Sequence, residues 1–388
     1  MSSGWHAAKL SDVCEFHNGL WKGDKGPFVN VGVIRNTNFT KDGTLDDSDI
    51  AYLDVEEKKF EKRRLQFGDI ILEKSGGGPK QAVGRVAFFD KKYGDFSFSN
   101  FTSAIRVRDQ EALAAEYLHR FLHWQYLSGV TESMQSHSTG IRNLDGDAYK
   151  AIEVRFPNVR EQRRIVALLD EAFAGIATAK ANAEQSLRKA RDVDASHRRS
   201  LFIGSAWPLT TLNRIARNLD SKRIPITKGD RTPGEFPYYG ASGVVDYVAD
   251  YIFDGDALLV SEDGANLLSR STPIAFSVTG KYWVNNHAHI LQFDDMVTQK
   301  FVEFYLESIP LDDYITGAAQ PKLNQKALNS IPVPIPADIQ ERVAVVARIE
   351  AMNQETDRLQ SLYNRKLAAL DELKQSLLQQ AFSGQLWR

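Results

Sequence analysis

Two long stretches of the chain have the hydrophobic spacing of helices that pack against another helix. In residues 161–202, which contain no proline, small or apolar residues recur at intervals of four and three, at Ile165, Leu169, Ala172, Ile176, Ala179, Ala183, Ala190 and Val193. Larger side chains follow the same rhythm in the second stretch, at Val345, Ile349, Met352, Leu359, Tyr363, Leu370, Leu373 and Leu377. Because such a seam needs a partner and small faces accept large ones, we predict that the two helices pack as an antiparallel coiled coil. The alternative is that each helix folds back on its own module.

The segment before each helix is rich in short β-like runs separated by Gly, Pro, Asn and Asp. In the first segment we predict strands at Ile70–Glu73, Val83–Phe89 and Ala104–Val107, and in the second at Ala257–Val260, Pro273–Val278 and Ala288–Phe293. A short helix is predicted after each set, at Glu116–Leu127 and Lys300–Glu307. The fold class is therefore α+β, with two β-rich modules.

The two halves of the chain carry the same landmarks in the same order. These are Trp5 and Trp207, the pairs Gly68-Asp69 and Gly255-Asp256, Pro157 and Pro336, and Phe202 and Phe382. From the proline to the phenylalanine the copies span 45 and 46 residues (202 − 157 and 382 − 336), but from the tryptophan to the proline they span 152 and 129 (157 − 5 and 336 − 207). We infer a pseudo-twofold internal repeat in which the helices keep their length. The expected segments are 1–160, 161–203, 204–336 and 337–388.

Composition narrows the classes of protein. The chain has 388 residues, 43% of them hydrophobic, and a net charge of −2, whereas a dedicated DNA-binding protein is usually basic. Basic loops balanced by acidic helices would still allow DNA as a partner. The single cysteine, Cys14, excludes a disulfide framework or a cysteine metal cage and is expected to be buried. Without a signal peptide or an apolar run of about 20 residues, the chain is expected to be cytoplasmic and not in a membrane.

The predicted loops carry basic, aromatic and amide side chains. Arg and Asn suit bidentate contacts to bases, and Lys suits phosphates. The candidate DNA-binding residues are Lys74, Lys80, Arg85, Lys222, Arg223, Lys228, Arg231, Tyr239, Arg270, Asn285, Asn286 and His287. The glycines at residues 76–78 could let the backbone approach a phosphate, but an ordinary hairpin loop explains them equally well. His287 and His289 would point to opposite faces of a strand, so no metal is expected there.

Signatures of catalysis are missing from the sequence. There is no glycine-rich cofactor turn, nucleophile elbow, metal-ligand spacing or Asn/Asp-Pro-Pro-aromatic stretch for methylation of a base amino group. Asp69, Glu73 and Lys74 lack the spacing of a nuclease site, so turn chemistry explains Asp69 better. We therefore expect no catalytic residues.

The doubled arrangement of module and helix resembles the specificity subunit of Type I restriction–modification enzymes over essentially the whole chain. The helix entry Phe156-Pro157-Asn158-Val159-Arg160-Glu161-Gln162-Arg163 is the most specific match, and the closing Phe382-Ser383-Gly384-Gln385-Leu386 also resembles the family. The second helix entry departs from the pattern, because its Gln340 is shifted by one place relative to Pro336. The resemblance implies two target-recognition domains, each reading half of a bipartite site in double-stranded DNA, and helices that set the spacer.

The resemblance also implies partner subunits. Two methyltransferase subunits would dock on the helices, around Arg163, Ile165, Leu169, Arg342, Val345 and Leu370. They would hold S-adenosylmethionine, while ATP and Mg would belong to partner subunits of the complex, including restriction subunits, and this chain would bind no cofactor. Two alternatives remain open, namely the specificity partner of a fused nuclease–methyltransferase and a coiled-coil adaptor that binds proteins. A stand-alone enzyme is the least favoured.

Overall fold

The computed structural model of the chain describes residues 5–20, 23–77, 81–138, 141–317 and 319–383. The chain forms two compact units. Unit 1 consists of Met1–Asn182 and Lys366–Arg388, and unit 2 consists of Ala183–Arg365. This division differs from the four consecutive segments expected, because each long helix contributes residues to both units.

Unit 1 is built mainly from short strands. They are β1 (His6–Lys9), β2 (Cys14–Asn18), β3 (Phe28–Ile34), β4 (Ala51–Glu56), β5 (Ile70–Glu73), β6 (Ser75–Gly77), β7 (Val86–Phe88), β8 (Phe96–Phe98), β9 (Thr102–Val107), β10 (Gln135–Ser138), β11 (Ile141–Leu144) and β12 (Glu153–Phe156). Its helices are α1 (Leu10–Val13), α2 (Glu57–Glu61), α3 (Ala115–Leu127), α4 (Gly146–Lys150) and the first part of the long α5 (Val159–Phe202).

A four-stranded antiparallel sheet, in the order β2-β9-β5-β7, lies at the centre of unit 1. Side chains alternate across a strand, so Ile70 and Leu72 enter one hydrophobic cluster while Ile71 enters another on the opposite face. This explains why β5 is apolar without a polar face. A second sheet, in the order β4-β3-β8, includes a parallel pair between β3 and β8.

Unit 2 continues the chain from the second part of α5. Its strands are β13 (Leu209–Thr211), β14 (Arg217–Asn218), β15 (Pro233–Gly240), β16 (Gly243–Val248), β17 (Phe253–Asp254), β18 (Ala257–Ser261), β19 (Ala275–Val278), β20 (Lys281–Val284), β21 (Ala288–Gln292) and β22 (Pro332–Pro334). Its helices are α6 (Leu212–Ile215), α7 (Asn266–Ser269), α8 (Met296–Ser308), α9 (Gln325–Ser330) and the first part of the long α10 (Ile339–Ser383).

Three sheets of unit 2 correspond to sheets of unit 1. Its central sheet has the order β14-β21-β18-β19, and a second sheet, β16-β15-β20-β17, again contains a parallel pair, between β15 and β20. The pairing of β13 with β22 corresponds to that of β1 with β12. The predicted internal repeat is confirmed, as are the predicted strands at residues 70–73, 104–107, 257–260 and 288–292.

The long helices run antiparallel in both units. In unit 1, Lys180 of α5 pairs with Asp371 of α10. In unit 2, Arg191 donates to Gln360 at 3.0 Å, and the Arg348 Nη2 lies 2.7 Å from the His197 Nε2. Residue numbers rise along one helix as they fall along the other, so the antiparallel prediction is confirmed. No helix among the described residues is long and apolar enough to cross a membrane.

The predicted seam is wrong by one residue near the end of each long helix. Val193 and Leu373 are 67% and 46% exposed, whereas Asp194 is only 6% exposed and Lys374 is half-buried. Continuing the spacing from Ala190 by four residues leads to Asp194 rather than to Val193. An apolar neighbour precedes each of these seam positions in the sequence, but the geometry of the helix keeps the polar residue inside.

Candidate nucleic-acid interface

Polar side chains of unit 1 gather where the central strand β5 ends. Lys74, just after this strand, donates from its Nζ to the Asn18 Oδ1 at 3.1 Å. Ser75 donates to the Asn143 Oδ1 at 2.6 Å. Residues far apart in sequence therefore meet at one sheet edge, which also contains the ion pair of Glu73 with Arg85.

Glu73 holds Arg85 through two hydrogen bonds. The arginine Nε donates to the Glu73 Oε2 at 2.8 Å and its Nη2 to the Oε1 at 2.9 Å, and the Glu73 side chain is 1% exposed. Nη2 also donates to the Asn36 carbonyl oxygen at 3.0 Å. Burial opposes the charge of Arg85, but the hydrogen bonds and charge of Glu73 outweigh burial and raise the pKa of the guanidinium.

A separate ion pair holds the beginning of β5. Asp69 is 1% exposed and accepts hydrogen bonds from the Arg106 Nε at 2.8 Å and Nη2 at 2.7 Å. It also accepts from the backbone N–H of Gln66, as a turn residue does. Asp69 and Glu73 each have their own arginine, so they do not form a nuclease carboxylate pair.

The corresponding edge of unit 2, after β18, contains a larger network of charges. The Arg223 Nη1 donates to the Glu262 Oε2 at 2.7 Å, and the Lys322 Nζ lies 3.1 Å from the Glu262 Oε1. Buried His289 places its Nδ1 2.5 Å from an Asp220 oxygen and its Nε2 2.7 Å from the Leu323 carbonyl oxygen. The carboxylates of Asp220 and Glu262 therefore both have hydrogen-bond or ion-pair partners within unit 2.

Asp220, Glu262 and His289 come close enough together to suggest a metal site, with ligand atoms within 4.8 Å of one another. However, Arg223 and Lys322 already neutralise these carboxylates, and both His289 ring nitrogens face acceptors. Burial acts to raise the carboxyl pKa values, but hydrogen bonds from His289 to Asp220 and from Arg223 to Glu262 prevail and lower both. The group fits a network of ion pairs better than a metal site.

The turn between β20 and β21 presents two of the candidate DNA-binding residues to solvent. The Asn285 Oδ1 accepts from the His287 backbone N–H at 2.7 Å, and Asn285 is buried. Asn286 and His287 are exposed, and the His287 Nδ1 lies 2.9 Å from an oxygen of Asp263. Asn285 therefore shapes the turn, which corrects its assignment as a DNA-contacting side chain.

Two predicted DNA-binding arginines have internal roles instead. Arg270 has a left-handed φ of 49° and donates to the carbonyl oxygens of Leu306 and Ile309, at the end of α8. It therefore stabilises a helix terminus. Arg223 donates to Glu262 and to two backbone carbonyl oxygens, so its guanidinium is also committed within unit 2. Both arginines were wrongly placed on the DNA surface.

The remaining candidates differ in exposure. Arg231 pairs with Asp246 at 3.0 Å and stacks over Tyr238 at 4.4 Å. Lys222 and Lys228 are exposed, and Tyr239 is half-buried. Lys80 lies outside the described residues.

The six helix residues expected to contact partner subunits also differ in burial. Ile165 and Leu169 are 0% and 3% exposed in the core of unit 1, so their assignment to a docking surface is wrong. Arg342 bonds to Thr298, and Val345 packs against the core of unit 2. The other two are exposed Arg163 and half-buried Leu370.

The sequence did not predict that Glu73 and Glu262 hold arginines: Glu73 was considered only for a nuclease site, and Glu262 was not considered. One signal was present, because in both halves a glutamate closes the hydrophobic strand that follows the Gly-Asp pair. Asn18, Asn36 and Asn143 gave no comparable signal, since they meet only in the folded chain.

The arrangement of two similar modules and two long helices agrees with comparisons to known proteins. The family model of the Type I restriction modification DNA specificity domain matches residues 2–188 and 206–370. The chain belongs to this family. Specificity subunits are the non-catalytic part of a restriction–modification complex, so membership confirms the prediction that this chain is not an enzyme by itself.

Individual relatives agree with the family. A protein of Haemophilus influenzae assigned to the type I restriction enzyme specificity subunits is 33% identical over 136 residues, 35% of each chain, so the alignment spans about a third of that relative. The StySPI specificity subunit of Salmonella potsdam is 21% identical over 100% of this chain and 91% of its own.

Solved structures share the fold. A chain from the structure described as the basis of "complex assembly and conformational transition of the type I R-M system" has a TM-score of 0.80 at 15% identity and covers 99% of both chains. The HsdS subunit from Thermoanaerobacter tengcongensis has a TM-score of 0.63 at 15% identity, covering 99% of this chain and 98% of its own. The predicted fold class is confirmed.

Proposed function

We propose that each unit reads one half of a bipartite site in double-stranded DNA. The observation that carries the proposal is that each unit places polar side chains at the equivalent edge of its own central sheet. The side chains at the two edges are different residues. In unit 1 the edge offers Lys74 and Arg85, and in unit 2 it offers Asn286 and His287. Equivalent positions with different donors and acceptors suit two different half-sites.

The long helices would set the unspecified spacer between the half-sites. The helices α5 and α10 have 44 and 45 residues, which gives each a length of about 65 Å at about 1.5 Å per residue. Their equal length fits paired helices that together fix one distance. The half-site sequences themselves depend on the modules, which differ in size.

Two methyltransferase subunits would dock on the helices. Val193 and Leu373 are exposed apolar residues at equivalent places, nine positions before Phe202 and Phe382 (202 − 193 and 382 − 373). Exposed apolar side chains at repeated positions suit two copies of one partner. These partners would hold S-adenosylmethionine, whereas ATP and Mg would be bound in the subunits that cleave DNA. The assembly would act in the cytoplasm, where it reaches the DNA.

The salt dependence of DNA binding tests this function against a protein-binding adaptor. Phosphate contacts release counterions, so the logarithm of affinity should fall steeply and linearly with the logarithm of salt concentration. Replacing exposed Lys222 and Lys228 by alanine should reduce the slope by about one for each lysine that contacts a phosphate. A complex of the chain and its methyltransferase that shows no salt-dependent affinity for DNA would favour the adaptor. The mass of the co-purifying partner distinguishes a separate methyltransferase subunit from a fused nuclease–methyltransferase, which would be larger.

A further inference from the structure

The guanidinium of Arg85 is fixed on one side and open on the other. Nε and Nη2 are both occupied, by Glu73 and by the Asn36 carbonyl oxygen. Nη1 has no hydrogen-bond partner among the described residues, and it does not belong to their buried unpartnered atoms. Nη1 is therefore accessible and can still donate hydrogen bonds to a ligand.

The surroundings of Arg85 keep the guanidinium in this orientation. The side chain of Asn36 donates to the Glu73 Oε1 at 3.1 Å, so the carboxylate is itself held in place. Gly76, with a φ of +102°, leaves room for this amide, because a Cβ there would lie 3.0 Å from the Asn36 Nδ2. The Phe39 ring lies 5.6 Å from the guanidinium carbon. An arginine fixed before binding loses little side-chain entropy when it meets a ligand.

In unit 2, the arginine that pairs with Glu262 is Arg223, and it is bound differently. The Arg223 Nε donates to the Asp220 carbonyl oxygen, and its Nη1 donates to both Glu262 and the Ala288 carbonyl oxygen. Its Nη2 lies 3.6 Å from the Asp220 carboxylate. All three nitrogens thus face acceptors inside unit 2, whereas Arg85 keeps one amino group free of them.

A fixed amino group that only donates hydrogen bonds favours guanine among the bases. In the major groove guanine presents two acceptors, N7 and O6, whereas adenine presents one acceptor beside a donor. Resting on the proposed function of DNA recognition, we propose that Arg85, positioned by Glu73, reads a guanine in the half-site of unit 1. Glu73 is a positioning residue, and Arg85 determines specificity.

Methylation-sensitive sequencing of DNA tests this proposal in cells that express the full chain with its methyltransferase. The variants are Arg85→Lys, Arg85→Ala and Glu73→Gln. The control is Arg108→Ala, which removes an exposed arginine paired with Glu15 at 3.3 Å. Arg108 follows β9, at the opposite edge of the same sheet, because β9 runs antiparallel to β5. Thermal unfolding of each purified complex reports its folding.

The expected result is a loss of discrimination at one G·C pair of one half-site. Arg85→Lys keeps the charge, but a lysine has no planar group that can bind Glu73 through two nitrogens and present a third to a base, so methylation at sites with another pair there should rise about ten- to a hundred-fold relative to the original sites. Glu73→Gln should relax the same position to a smaller extent, since one amide oxygen remains as acceptor. The other half-site and the spacer should not change, and Arg108→Ala should keep the original target.

Two results would overturn the proposal. One is a folded Arg85→Lys complex that methylates the original target with the same preference at every position, and the other is a wild-type target with no G·C pair in either half-site. If Arg85→Ala does not fold, Arg85→Lys decides the question. Wild-type methylation without a bipartite target would instead contradict the proposed function, so the two failures are distinguishable.

Discussion

Buried carboxylates at the sheet edges are neutralised in small networks of ion pairs, and this makes individual arginines important for stability. Arg223 lies between Asp220 and Glu262, whose side chains are 6% and 12% exposed. Removing one member of a buried pair leaves the other charge without compensation. The same side chain was a candidate for DNA contact in the sequence, so stability and binding have to be measured separately.

We predict that Arg223→Ala lowers the free energy of unfolding of unit 2 by about 3–5 kcal/mol. The reason is that two buried carboxylates lose a common cation. Chemical denaturation of the purified complex measures the effect. Exposed Arg214 provides the control, and its replacement by alanine should change stability by less than about 0.5 kcal/mol. Equal effects of the two substitutions would contradict the assigned role of Arg223.

A buried pair of histidines makes unit 1 sensitive to acid. His119 and His123 of α3 are both 3% exposed, and their rings are 6.2 Å apart. Burial, and then the positive charges of Lys374 and Arg120, lower the pKa of His123 from 6.5 to about 4. Burial also lowers the pKa of His119 well below 6.5.

We therefore predict that unit 1 loses stability as the pH falls from 6.5 to about 4. In this window the two histidines are protonated in the unfolded chain but remain neutral in the folded chain. The free energy of unfolding therefore decreases by up to about 1.4 kcal/mol for each histidine per unit fall in pH. Urea unfolding at a series of pH values measures the slope. His123→Gln should reduce it, whereas the exposed His6→Gln should not. The same slope in all three proteins would disprove the role of His123.

Each long helix ends inside a hydrophobic core. Phe382 of α10 packs against Tyr117, Phe121 and Trp124 in unit 1, with ring centroids 5.3–5.7 Å away. In unit 2, Phe202 of α5 packs against Phe301, Tyr305 and Trp207. The closing phenylalanines of the repeat are thus core residues, which explains why both helices keep the same length.

Replacing Phe382 by alanine should destabilise unit 1 by about 3–5 kcal/mol, because it removes a buried aromatic ring and leaves a cavity. Phe202→Ala should have the corresponding effect on unit 2. Hydrogen exchange resolved by peptide measures the two units independently. The pattern is the test, since equal loss of protection in both units from one substitution would contradict separate cores.

How well each element was predicted depended on how local its signal is. Strand β5 was predicted at its observed bounds, Ile70–Glu73, because it is a continuous apolar run after a tight turn. The hairpins β3–β4 and β15–β16 were missed. Pro233, Gly234 and Pro237 interrupt β15, and exposed apolar residues such as Tyr52 obscure the alternation in β4. The arginine partners could not be predicted, because Glu262 is 39 residues from Arg223 and only the sheet brings them together.

In the whole molecule, the two modules are proposed to read the half-sites and the two long helices to set the distance between them. Insertion of seven residues between Asn182 and Ala183 and of seven between Arg365 and Lys366 preserves the seam and leaves each unit complete. We expect the spacer to lengthen by about 10 Å, or about three base pairs, with unchanged half-sites. Methylated-site mapping measures both. An insertion after Tyr93, which is 90% exposed, is the control and should leave the spacer unchanged. Altered half-sites with the original spacing would contradict the proposal that the helices set the spacer.

Recognition of a bipartite site by the two modules is tested by methylation-sensitive sequencing of DNA from cells that express the unmodified chain with its methyltransferase. We predict one bipartite target with two different half-sites at a fixed separation, because two unequal modules are joined to helices of 44 and 45 residues. Methylation confined to a single continuous site, or spread over all sites of one base without sequence preference, would contradict it.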